Sequence, residues 1–335
     1  MNNAANRLFK FSSTDALNYL NIGLMLISFT AAYILPFQVF LFSYAVLGPL
    51  HYLTEISWLE KRDYFIRSKN DIWVFVLLVF LITIGRSWEG LGIKGLTSSL
   101  LFSGFVYALV ILFVEKTSNK LLFVLLAFAG SILFSFNKHD GFLYILFAVL
   151  LPTIIHVFIF TGAFILLGAL RSKSSSGVLS LVVFIGCAVA FFIYMPEHPG
   201  IAVSDYYKNA YSSFTAINTA IYHLFGFGEL RSTDAALYIS PKAIAIMRFI
   251  AFAYTYHYLN WFSKTSIIKW NQVSFLRMMV IISLWLISIA LYAFSLTTGF
   301  YALLLLSLLH VVLEFPLNHQ TFIGIGKELR NKIRQ

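Results

Sequence analysis

His51 and Glu55 stand four residues apart in the stretch GPLHYLTEISWLEKR, residues 48–62. Four residues is a little over one helical turn, so both side chains lie on one face of a helix. The same spacing recurs near the other end of the chain, at His310 and Glu314 in LLHVVLEFPLNH. A third stretch, YTYHYLNWFSK, repeats the tripeptide His-Tyr-Leu at His257. Imidazole and carboxylate together suit iron, manganese or zinc. Four or more His with two Glu suffice for one metal with open positions, or for two metals bridged by carboxylate. The predicted ligands are His51, Glu55, His257, His310 and Glu314, with His156 and His319 in reserve.

The segments that must position these groups are apolar. The chain is 59% hydrophobic and 11% charged, with a mean hydropathy of +0.82. A soluble domain carries about 25% charged residues. Apolar runs of about 20 residues recur from end to end, which predicts an all-α fold, a polytopic transmembrane helical bundle. About ten spans are expected, over 17–35, 37–58, 72–87, 96–114, 121–136, 142–170, 178–195, 243–262, 276–296 and 300–317. They form a single integral-membrane domain over 1–335, with no polar stretch long enough for a soluble one. Arg7 and Lys10 precede Ser12-Ser13-Thr14-Asp15, a helix cap, and then the first apolar run. No small-residue cleavage site closes that run, so it is expected to be a retained helix. Net charge is +10, but the basic residues sit in short loops between apolar runs, which argues against nucleic acid as a partner. The single cysteine, Cys187, rules out an intramolecular disulfide.

Residues 204–230 are rich in Ser, Thr, Asn and Tyr and are expected to be interfacial or re-entrant. If that segment does not cross, most of the 24 Lys and Arg fall on one side, among them Lys61, Arg62, Arg67, Lys69, Lys120, Arg171 and Lys264. The positive-inside rule then places both termini in the cytoplasm. His51 with Glu55, His257, and His310 with Glu314 all come to the cytoplasmic third of their spans. His156 lies mid-span after Pro152, about 6–9 Å away in depth. His223 falls on the other side, and His139 and His198 in outer loops.

Blander roles remain open for each group. A lone intramembrane His is often a packing residue, and His-x-x-x-Glu can be a simple hydrogen-bonded pair. Tyr254, Tyr256 and Tyr258 form either an interfacial belt or a set of donors around His257. Trp58, Trp73, Trp88, Trp261 and Trp270 fall near predicted span ends. A proton relay in a transporter or lipid-handling protein is the alternative to a metal centre. So is a non-catalytic scaffold.

On its architecture and on His51, His257 and His310, the chain loosely resembles the His-rich integral-membrane non-haem iron proteins, within them the bacterial carotene dioxygenases. It lacks the HxxxH and HxxHH clusters of membrane desaturases and hydroxylases. The resemblance implies a bacterial inner-membrane oxidoreductase or oxygenase with one or two iron ions, or another divalent metal. Its partners would be membrane lipid and a hydrophobic small-molecule substrate: a lipid, isoprenoid or carotenoid.

Overall fold

The computed structural model describes residues 13–66, 68–89, 95–135, 140–197, 202–264, 269 and 272–334. Arg7, Lys10, Arg67, His139, His198 and Trp270, and the side chain of Trp88, lie outside this set. Among the described residues, all regular structure is helical. Eight helices among the described residues are long and apolar enough to cross a membrane: 14–34, 36–60, 96–113, 117–135, 141–172, 175–193, 275–294 and 296–333.

The first of them is α1 (Ser13–Ile34). It stops where Pro36 opens α2 (Pro36–Phe42), with proline at a first-turn position that needs no N–H donor. A π-helical turn, π1 (Ser43–Leu47), then leads into α3 (Gly48–Glu60). The apolar helices α4 (Asp71–Glu89), α5 (Leu96–Phe113) and α6 (Thr117–Ser135) follow. Short α7 (Asp140–Leu143) enters a long π-helical stretch, π2 (Tyr144–Phe160), which continues as α8 (Thr161–Ser172). Pro152 lies inside π2. Its missing N–H and its ring disfavour a regular α-turn, and the backbone widens instead. Next comes α9 (Ser175–Ile193), whose N-cap Ser174 accepts from the Gly177 N–H.

No crossing-length helix occurs in 204–230. The segment forms α10 (Asp205–Tyr211), one 3-10 turn, and α11 (Thr215–Leu224). Ten helical residues reach about 15 Å, half of a bilayer's apolar thickness. The buried faces of Tyr211, Phe214, Ile217 and Ile221 pack into the main core. The single turn α12 (Ala236–Ile239) precedes α13 (Pro241–Ser263). The chain closes with α14 (Phe275–Phe294) and the 38-residue α15 (Leu296–Ile333).

Helix α13 is the axis of the fold. Every residue from Ala243 to Tyr258 is buried, so the helix is enclosed by protein on all sides. Ala243, Ala245, Ala251 and Ala253 let neighbouring helices approach closely. It packs against α1, α2, α9, π1, π2 and α3. Its polar residues, Arg248, His257 and Asn260 among them, lower its hydropathy but face protein rather than lipid. Arg248 donates through Nε to the Tyr33 carbonyl at 2.9 Å, closing the end of α1, and its guanidinium lies 3.9 Å from the Tyr33 ring centre. A second apolar core joins α4, α5 and α15. π2 serves both cores, sending Val149, Ile154 and Val157 to one and Leu151 and Phe160 to the other.

One expected loop charge proves to be interior. Lys120 is buried in α6, its Nζ 2.7 Å from Asp71 Oδ2, while the Tyr107 hydroxyl donates to Asp71 Oδ1 at 3.0 Å. This triad ties the ends of α4, α5 and α6. Removing one member leaves a buried charge without its partner. We therefore expect Asp71→Ala to cost about 3–5 kcal/mol and the double change Asp71→Leu/Lys120→Met to cost clearly less. Thermal unfolding of the detergent-solubilised protein measures both. Equal losses in the two would show that the pair is not what holds these helix ends.

Candidate metal centre

The three stretches singled out in the sequence meet at the seam between the two cores. α3 supplies His51 and Glu55, α13 supplies His257, and α15 supplies His310 and Glu314. π2 adds His156. All six residues are between 1% and 7% exposed, so neither the imidazoles nor the carboxylates have bulk water as a partner.

Their donor atoms converge. His51 Nε2 lies 3.0 Å from His257 Nε2 and 3.0 Å from Glu55 Oε2. His156 Nδ1 lies 3.1 Å from Glu314 Oε2. Glu55 and Glu314 are themselves within hydrogen-bonding reach. Two sets of three groups, His51/His156/His257 and His51/Glu55/His310, each place one ligand atom per residue within 4.8 Å of the others. His51 belongs to both.

The His51–His257 contact is a hydrogen bond, whereas the His51–Glu55 and His156–Glu314 contacts are close without being hydrogen bonds. Glu55 Oε2, His51 Nδ1, His310 Nδ1 and both ring nitrogens of His156 are buried with no hydrogen-bond partner. Each such orphan costs about 1–3 kcal/mol. A metal ion accepts lone pairs that converge on one point, whereas hydrogen bonding requires each lone pair to meet a proton.

Neighbouring side chains fix the rings. The Thr161 hydroxyl is 2.8 Å from His257 Nδ1, which aims Nε2 at His51. Tyr52 stacks on His310, with ring centres 4.2 Å apart at 21°. Trp261 packs edge-on to His51 at 5.4 Å and donates through Nε1 to Thr54 Oγ1 at 3.0 Å. Asn318 Nδ2 donates to Glu314 Oε2 at 3.3 Å. Lys264, just past the end of α13, acts electrostatically on both Glu314 and Glu55.

The structure brings six of the seven predicted groups together and sets His319 apart. Its Nε2 is 2.9 Å from the Phe105 carbonyl, and its ring packs 4.4 Å from Phe105. The reason is helical phase. α15 runs unbroken through Pro316, and nine residues at about 100° each put His319 on the opposite face from His310. Tyr254, Tyr256 and Tyr258 are buried at 4% or less and so form no interfacial belt. Tyr258 bonds the Tyr52 hydroxyl at 3.4 Å, and Tyr256 donates to Asn21 Oδ1 at 3.3 Å. Asn318 extends the His310–Glu314 spacing by another four residues and was legible on that ground. Thr161 and Trp261 carried no such signal.

The chain matches no family model, no curated protein and no solved structure with which it was compared.

Gly48 marks how closely α3 approaches this centre. A Cβ there would fall 2.9 Å from the Tyr52 hydroxyl oxygen and 3.2 Å from that of Tyr258. Gly48→Ala is expected to displace these phenols and cost about 1–3 kcal/mol. A lowered unfolding midpoint checks this. An unchanged midpoint would mean that α3 has slack at this point.

Proposed function

We infer that this chain is an integral-membrane, metal-dependent oxidoreductase or oxygenase of the non-haem iron type, with a hydrophobic substrate. The observation that carries the reading is the sharing of His51 between two sets of three buried ligand groups. Four imidazoles and two adjacent carboxylates are enough for one ion or for two. The donor atoms come within 3.0–3.1 Å of one another, close enough to share an ion. Imidazole with carboxylate suits iron, manganese or zinc, and the reading takes iron. The centre's burial among apolar helices suits a substrate drawn from the lipid phase, such as a lipid, isoprenoid or carotenoid.

The reading includes ten crossings. α4 and α13 join the eight long apolar helices, the 204–230 segment stays on one side, and both termini face the cytoplasm in a bacterial inner membrane.

His51, His156, His257, His310, Glu55 and Glu314 would hold the ion, which would supply redox chemistry toward oxygen. The chain's own residues do the rest. Thr161 orients His257, Asn318 holds Glu314, and Tyr52 and Trp261 wall off His310 and His51 from water.

Elemental analysis of protein purified gently without chelator tests this. One or two equivalents of iron are expected. His51→Ala should abolish binding, since His51 serves both sets. Thr161→Val should weaken it about 10–100-fold by freeing the His257 ring. His319→Gln should leave the metal content unchanged. No stoichiometric metal, together with transport driven by a pH gradient, would establish the proton-relay alternative instead.

A further inference from the structure

A cavity of about 150 Å³ opens directly beside the imidazoles. His156 and His310 form part of its wall. Hydroxyl groups line much of the rest, from Tyr44, Tyr254, Tyr258, Ser307 and Thr97, with Phe300 and Leu304 as apolar flanks. Size limits the occupant first. A cavity of about 150 Å³ holds one benzene-sized ring. A long polyene or acyl chain is not enclosed by it.

Polarity limits the occupant next. Thr97 Oγ1, on the cavity wall and away from the metal ligands, is buried with no partner. A wholly hydrocarbon guest would leave it unpaired, and the site would disfavour such a guest for that reason. Ser307 links the Tyr44 and Tyr52 hydroxyls, and Tyr52 continues to Tyr258 at 3.4 Å. This connected set offers lone pairs and rotatable O–H groups to a guest.

The exit is at Tyr144. It lines the cavity at the start of π2, yet is 44% exposed at the edge of the bundle. The cavity therefore reaches from the buried histidines to the exposed edge of the bundle.

We propose that this cavity receives the head of a membrane lipid, a single six-membered ring bearing oxygen substituents of the quinone or phenol class, whose apolar tail leaves past Tyr144. The assignment rests on the metal-site reading only in making the ring a substrate, since the fit itself depends on the cavity. The proposal excludes enclosure of an entire long-chain substrate around the centre. Only its end reaches the histidines.

Titration calorimetry in detergent, with a decyl-tailed benzoquinone and with decylbenzene, tests this on the full chain. The quinone is expected to bind at least about ten-fold more tightly, because its oxygens pair with groups the hydrocarbon leaves unpaired. Thr97→Val should weaken quinone binding about 2- to 10-fold, as loss of one hydrogen bond does. Ala148→Trp, on the cavity wall, should block the quinone while leaving the metal content unchanged. Equal affinity for the two probes overturns the proposal, and so does undiminished quinone binding by Ala148→Trp. If that variant does not fold, Thr97→Val decides, and unaltered affinity there counts against the proposal. Ring-selective binding by a protein that holds no metal would break the metal reading and keep this one. A metal-replete protein without ring selectivity would do the reverse.

Discussion

Four imidazoles and two carboxylates have been taken out of water and packed between apolar helices, and the rest of the structure answers to that. Each group has lost strong hydration, and the apolar surroundings offer little to replace it. Part of the replacement is visible. Thr161 pairs with His257, and Asn318 with Glu314. The remainder is a convergence of donor atoms at about 3 Å: His51 and His257 share one hydrogen bond, while His51–Glu55 and His156–Glu314 are close without one. Ordinary packing would not leave so many orphans at one point, because any one of them could be relieved by a small rotation. A cation held where they converge would relieve those whose lone pairs face it.

Holding the groups in that arrangement requires a stiff interior, and α13 provides it. A helix enclosed by protein along its whole buried length cannot tilt or rotate without disturbing its neighbours. Its polarity is the counterpart of its position. Arg248, His257 and Asn260 would be costly facing lipid and are acceptable at the centre, where backbone carbonyls and other side chains meet them. The two π-helical stretches adjust the register around this axis. π1 lies immediately before the helix that carries His51, and π2 carries His156 itself. Wide turns of this kind are rare in regular helices and often accompany functional sites.

Lys120 and His319 show how far local sequence can mislead. Lys120 has the type and place of a loop charge, and only the approach of Asp71 and Tyr107 from two other helices makes burial tolerable. His319 has the type and depth of a ligand, and helical phase carries it to the wrong face. That phase could be computed from the sequence. The expected span ended at 317, two residues short of His319, whereas the helix in fact continues to Ile333.

The all-helical, membrane-like character of the chain was fixed by composition, because apolar runs of this length leave backbone groups that only a helix or closed barrel can satisfy in lipid. The pairing of His51 with Glu55, and of His310 with Glu314, was likewise fixed by spacing, since residues four apart on a helix must share a face. The stretch Gly48–Arg62 could thus be recognised as one wall of a polar site from its letters alone. Which helices face it was decided by tertiary packing. His257 and His310 come from segments about 200 or more residues away, and no local pattern encodes the rotation that turns them inward. The central role of His156, the exclusion of His319, and the ring-sized cavity against the imidazoles all follow from that packing. Side-chain direction depends on helix phase and neighbour contacts, which a linear sequence does not contain.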